Sequence, residues 1–359
     1  MSGQNNRLQW VDSAKGMSIL LVVMMYSVFN VGQDAEGVGL FHYAIGFATP
    51  FRMPEFFLIS GLFLDQVIAR PWRAYADRRV VHYFYFYALW AVIHIVLKVG
   101  IMSGSPLEAA TGIAWAIVEP YGVLWFIYLL AAFSLVTKLL YELRAPRWAV
   151  WAFGAAFQMA HIQTGSYLVD QFAAYFVYFY SGYVFAPLIF KLVDKAMAEK
   201  QLAIIGLGIY AIVNGLLVFS PGYAVLPTEI QLGWAGLPGV RLLLAIAGSL
   251  ALCVTAALIA GSKASNWLRW LGEHSIVVYL VFVLPMSFAR IALSKLGLIH
   301  DVTLSSALVM LVAVGVSVGL YLAVERTGRG KFLFERPAWA HLPGSSKSAA
   351  PNPAAVPAE

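Results

Sequence analysis

The sequence predicts an all-α, polytopic membrane protein of about ten transmembrane helices with both termini in the cytoplasm. Three observations carry that prediction. Of 359 residues, 61% are hydrophobic and only 12% charged, with a mean hydropathy of +0.76, a composition that no soluble globular chain of this length has. The apolar residues gather into runs near the roughly 20 residues needed to cross a bilayer core. Lys and Arg recur between alternate runs, as cytoplasmic segments require.

In chain order the expected spans are 16–32, 47–68, 81–102, 122–140, 148–162, 171–192, 202–219, 240–260, 275–293 and 303–324. Arg7 and Lys15 precede the first, which has no small-residue cleavage site after it and reads as a retained helix rather than a signal peptide. Arg70, Arg73, Arg78 and Arg79 separate the second from the third. Lys138, Arg144 and Arg147 separate the fourth from the fifth, the shortest run. Lys191, Lys195 and Lys200 mark the next inner segment, Lys263 and Arg269 the one after, and Arg326, Arg329, Lys331, Arg336 and Lys347 follow the last span. An odd span count in the middle would scramble this alternation.

Residues 1–336 therefore form one integral membrane domain. The stretch 337–359, rich in Pro, Ala and Ser with little to bury, reads as a disordered cytoplasmic tail. The net charge of +6 has a topological explanation, so nucleic acid is not an expected partner; the lipid bilayer is. The charge bias fits a bacterial inner (plasma) membrane. A single Cys253 gives no disulfide framework and no thiolate zinc site.

Of the 24 Lys and Arg, five lie off the inner segments: Arg52, Lys98, Arg241, Arg290 and Lys295. Lys98 and Lys295 sit near span ends, where such side chains snorkel to the interface. Arg52, Arg241 and Arg290 are candidates for binding an anionic group. Arg52 is followed by Pro54 and Glu55, and a proline there frees backbone carbonyls, as in a broken helix lining a cavity. The alternative is an Arg52–Glu55 ion pair at helical spacing that satisfies only itself; such a pair is replaceable by apolar residues at little cost, which favours function.

Lys15 and Tyr26 stand eleven positions apart, about three helical turns, and so share one face of the first span. Lys15 suits an anionic group arriving from the cytoplasm, or ordinary anchoring at the membrane edge; the Tyr26 hydroxyl needs a partner at depth, or simply packs. Glu273 and His274 open the ninth span. Glu273 fits a helix N-terminus, and His274 offers acid–base chemistry near neutrality or a solvated interface ring. No pair of histidines has ligand spacing, so no metal is expected. No phosphate-binding loop, dinucleotide fingerprint or nucleophile elbow occurs.

Four motifs in order carry a resemblance. Asp12-Ser13-Ala14-Lys15-Gly16 ahead of an apolar run, Met53-Pro54 with Phe56-Phe57 and Ser60-Gly61, Leu124-Trp125-Phe126, and Leu271-Gly272 with Ser275 and Tyr279-Leu280 resemble the acyltransferase-3 family of integral membrane acyltransferases over roughly residues 8 to 325. The resemblance implies transfer of an acyl group other than an amino-acyl group, such as acetyl, from cytoplasmic acyl-CoA to a hydroxyl of a cell-surface glycan, lipid or small acceptor. Acyl-CoA would be a co-substrate, with no bound cofactor. Lys15 would be the family's first-span cation, and Trp125 and His274 would join Lys15, Arg52, Arg241 and Arg290 as substrate-binding residues.

Two departures accompany it. The family's first-span histidine aligns with Tyr26, and a second histidine, after the Tyr-Leu pair, aligns with Phe282. A tyrosine, with a reference pKa of about 10, is a poor general base, so Glu55 is the alternative catalytic group beside Tyr26. Two rival readings follow: a catalytically silent relative that binds or senses acyl-CoA or an acceptor, and a small-molecule transporter with a mid-depth site.

Overall fold

The computed structural model describes residues 2–297 and 301–344; His300, Lys347 and residues 345–359 of the expected tail lie outside them. It is all-α apart from one small hairpin. The helices are α1 (Ser2–Ala35), α2 (Leu40–Ala48), α3 (Arg52–Gly61), α4 (Asp65–Ile68), α5 (Trp72–Ala76), α6 (His82–Ile95), α7 (Pro106–Trp115), α8 (Trp125–Glu142), α9 (Arg147–Met159), α10 (Tyr167–Val184), α11 (Ala186–Ala198) and α12 (Lys200–Val218). The hairpin β1 (Ala224–Val225) and β2 (Ile230–Gln231) follows. Then come α13 (Pro238–Ala260), α14 (Asn266–Glu273), α15 (Ser275–Val281), α16 (Val283–Lys295) and α17 (Val302–Thr327).

Six of these segments are long and apolar enough to cross a membrane, or eight if each of two bent pairs counts as one span. The expected ten are not reached on this criterion, for local reasons. The second expected span is interrupted between α2 and α3, where Pro50 has no backbone N–H to donate. The fifth is only the 13-residue α9. The sixth bends by 72° at Phe185, between α10 and α11, just before Pro187.

Helix α1 is central, packing on α3, α13, α14 and α17. Small residues permit the closest crossings. A side chain at Gly272 would run into the Asp12 carbonyl of α1, and one at Gly61 or Gly182 into the Phe179 or Leu58 carbonyl across the α3–α10 contact. The two Ser-Gly pairs, Ser60-Gly61 and Ser181-Gly182, thus meet each other, as small residues do between membrane helices.

Polar contacts collect at two ends of the bundle. At the end where α1 begins, Arg269 reaches Gln9 (2.6 Å), Lys138 reaches the Ile68 and Arg70 carbonyls (2.7 and 3.0 Å) and Glu142 (2.5 Å), and Arg147 reaches Asp65 (3.4 Å). We call this the basic end. At the opposite end His42 meets the Pro227 carbonyl (3.1 Å), Thr303 accepts from Leu40 N (3.0 Å), and Glu119 accepts from Ser166 Oγ (2.5 Å) and Leu168 N (3.0 Å).

The packed chain also runs past 336. Tyr85 and Trp90 donate to the Phe332 and Leu333 carbonyls (2.9 and 3.0 Å), and Asp77 binds Arg336 (2.6 Å), His341 (3.0 Å) and the Leu342 backbone N–H (2.8 Å). Residues 337–344, expected in the tail, are held because buried Asp77 gives their polar groups an acceptor.

Candidate active site

Motif residues far apart in sequence meet in one aromatic cluster near Tyr26. Phe56 stacks on Phe126 (centroids 4.5 Å, 9°), Phe57 contacts Phe126 (4.6 Å), Trp125 (5.9 Å) and Tyr175 (5.2 Å), and Phe126 packs on Tyr279 (5.5 Å). The turn Gly122–Leu124 that starts α8 needs φ = +51° at Gly122, a conformation open to glycine. It directs the Val123 carbonyl to the Tyr279 hydroxyl, which also accepts from Phe126 N at 3.3 Å. These aromatic contacts make a rigid wall.

Within that wall Tyr26 has the Trp125 indole N–H, the Arg52 guanidinium and the Tyr175 phenol as electrostatic neighbours. Tyr26 lies deep on α1, packed on Phe282 (5.6 Å), with its side chain partly exposed. Arg52 is 9% exposed, and its Nε and Nη1 have no hydrogen-bond partner. Its electrostatic neighbours are Tyr175 and Tyr26. An unpaired guanidinium at this depth is costly and calls for an anionic guest or a developing negative charge.

The alternative Arg52–Glu55 pair is not formed: no ion pair joins them among the described residues. Glu55 leaves α3 toward α1 and α13, fully buried, where the Ser18 hydroxyl lies between its carboxyl and the Ala14 carbonyl (2.9 Å), with Cys253 nearby. Its Oε1 has no partner. Three residues along a helix leave the two side chains only about 60° apart, so it is their partners that separate them: Arg52 has Tyr175 and Tyr26 as neighbours, and Glu55 has Ser18.

The remaining candidates separate. Trp125 stands beside Tyr26. Arg241, at the start of α13, lines a cavity of about 670 Å³ at the end opposite the basic one; Tyr175, a neighbour of Arg52, lines the same cavity. Lys15 sits near the basic end, 3.6 Å from Asp12. His274 stacks on Trp270 (4.4 Å), with Nδ1 2.8 Å from the Trp270 carbonyl, at the α14–α15 junction. Arg290 is paired with Asn30 (3.0 Å) and Asp34 (3.4 Å), and Asn30 in turn donates to the Tyr26 carbonyl (2.7 Å). Thus Tyr26, Arg52 and Trp125 come together with Arg241 close by, while Glu55, Lys15, His274 and Arg290 do not join them. Tyr175 was not anticipated, because one tyrosine among many in an aromatic span carries no local signal.

Three of the four motifs thus meet in one aromatic cluster, and the first packs through Asp12 and Gly16 against Gly272 of the fourth. The acyltransferase-3 family model, described as an acyltransferase domain, matches residues 8–324. The chain belongs to the acyltransferase-3 family. Its apolar helices make it a multi-pass membrane member of that family. No curated protein and no solved structure matches it significantly. Among the described residues no cluster of three or more His, Cys, Asp or Glu could hold a metal in this acyltransferase-family chain.

Proposed function

We propose that the protein is an O-acyltransferase that takes an acyl group from acyl-CoA arriving at the basic, cytoplasmic end and gives it to a hydroxyl of an acceptor arriving at the other end. The observation that carries this reading is the unpaired, buried Arg52 guanidinium beside the half-buried Tyr26 phenol. Lys15 and its neighbours at the basic end supply positive charge for an anionic donor.

In the proposed step the acceptor hydroxyl oxygen attacks the thioester carbonyl, a C–O bond forms and the C–S bond breaks. Arg52 faces the carbonyl oxygen as it gains charge, the role of an oxyanion-stabilising donor. Tyr26 accepts the acceptor's proton on its oxygen while its own proton passes to the departing sulfur. Such a relay avoids a free phenolate, which an ordinary tyrosine does not form near neutrality. Trp125 directs its N–H at the Tyr26 oxygen and orients the relay. Glu55, sealed in its seam, has a structural task in this scheme.

The test is incorporation of labelled acyl groups from acyl-CoA into glycan and lipid fractions of cells making the wild-type protein, Tyr26→Phe or Arg52→Leu. Label that needs the intact protein and both side chains supports transfer. One observation favours a second reading: Tyr26 and Phe282 occupy the two positions where the family has histidines, as in a silent relative that only binds its ligands. Absence of transfer from several donors by folded protein, with transfer appearing in a Tyr26→His/Phe282→His variant, would establish that reading instead.

A further inference from the structure

The cavity of about 670 Å³ at the end opposite the basic one has chemistry that the transfer step does not use. It lies between the α2–α3 break, the loop joining α9 to α10, and the start of α13. Its size falls within the range of about 300–1,000 Å³ usual for ligand sites. Its polar lining includes Gln158, Gln163, Gln171, Tyr175, Tyr178 and Arg241, a set dominated by carboxamides and hydroxyls rather than by apolar surface.

Two of these groups lack partners. Gln158 is 5% exposed, and its buried Oε1 accepts no hydrogen bond, although a buried amide oxygen ordinarily finds a donor. Arg241 takes part in no ion pair among the described residues; its electrostatic neighbour is Tyr178. The cavity's carboxylate, Asp170, accepts at its Oδ1 from Thr164 N (2.7 Å) and Thr164 Oγ1 (2.9 Å). That contact, with Glu119 bound to Ser166 and Leu168, holds the rim loop, in which His161 stands at φ = +46°. The rim is therefore built in advance of any guest.

An acceptor oxygen without a donor selects a ligand hydroxyl or N–H, and a planar, unpaired guanidinium selects a carboxylate that it can bind through two parallel hydrogen bonds. We propose that this cavity is a vestibule for the acceptor, and that it takes a hydroxyl-rich, sugar-sized molecule bearing a carboxylate. Arg241 holds the carboxylate and Gln158 receives a hydroxyl proton. Tyr175, which lines the cavity and neighbours Arg52, then stands between the part of the acceptor that is recognised and the hydroxyl that reacts. The role as acceptor site rests on the proposed transfer; the binding does not.

The experiment measures binding to the purified full chain in detergent, without acyl-CoA, of galacturonate and glucuronate oligomers, their methyl esters and a sugar phosphate. Saturable binding of an acidic oligomer, roughly tenfold to a hundredfold tighter than its methyl ester, is expected. Arg241→Gln should erase that preference, and Gln158→Leu should weaken acid and ester alike. Equal binding of acid and ester, tighter binding of the phosphate, an unchanged preference in Arg241→Gln, or no binding by monodisperse protein would each overturn the proposal. Half-buried Arg241 gives a variant that keeps the fold if Gln158→Leu does not. Acid-selective binding by the wild-type protein with no transfer from any donor would remove the transfer reading alone, whereas transfer without acid-selective binding would remove the vestibule alone.

Discussion

The Tyr26 and Phe282 rings lie 5.6 Å apart, from α1 and from the link between α15 and α16. These are the two positions at which the family resemblance implies histidine, so both departures fall at one place. In this chain the two positions hold an aromatic contact. If Tyr26 relays a proton, Tyr26→Phe should lower labelled-acyl transfer by about 10²- to 10⁴-fold, the usual worth of a positioned acid–base group. Tyr26→His should retain transfer and move its pH dependence toward neutrality; wild-type rates in Tyr26→Phe would exclude the relay.

Arg52 separates stability from activity. Its guanidinium is buried with two nitrogens unpaired, so Arg52→Leu should leave the thermal transition unchanged or raise it. Transfer should fall by about 10²- to 10³-fold, as on loss of an oxyanion donor. A fall in both, measured by detergent-based thermal unfolding alongside transfer, would mark Arg52 as structural.

Glu55 provides the contrast. Glu55→Gln keeps an acceptor for Ser18 and fits the same seam between α1, α3 and α13, so transfer should remain within a fewfold of wild type. Its loss, with the protein monodisperse, would return Glu55 to the mechanism.

The α3–α10 crossing should be intolerant of volume. A side chain at Gly182 meets the Leu58 backbone, which cannot move aside as a flexible side chain can. Gly182→Val should destabilise by about 1–3 kcal/mol, the usual cost of overpacking. The yield of monodisperse protein reads this out, and unchanged unfolding would mean that the helices can separate freely.

Asp77 should control the segment after α17. It and Arg336 are each 4% exposed in their ion pair, and leaving one buried partner unpaired costs about 3–5 kcal/mol. Asp77→Ala should make the chain beyond Thr327 readily cleaved in limited proteolysis, whereas truncation after residue 344 should not. Equal protection in both would show that Tyr85 and Trp90 hold the segment alone.

Composition and apolar run length determined a multi-pass helical membrane chain, because backbone in lipid must satisfy its own hydrogen bonds and helices do so locally. Motif order pointed to the family, and the Ser-Gly pairs to close helix contact. Where the spans break depended on Pro50 and on the bend before Pro187, which hydropathy averages do not resolve. Only the tertiary structure decided which charges meet. Arg52 and Glu55, one helical turn apart on α3, have different partners, while Tyr26, Trp125, Tyr175 and Arg52 come from four separate segments. Side-chain direction follows from helix phase and from the partners across each crossing, and no local stretch of sequence records those partners.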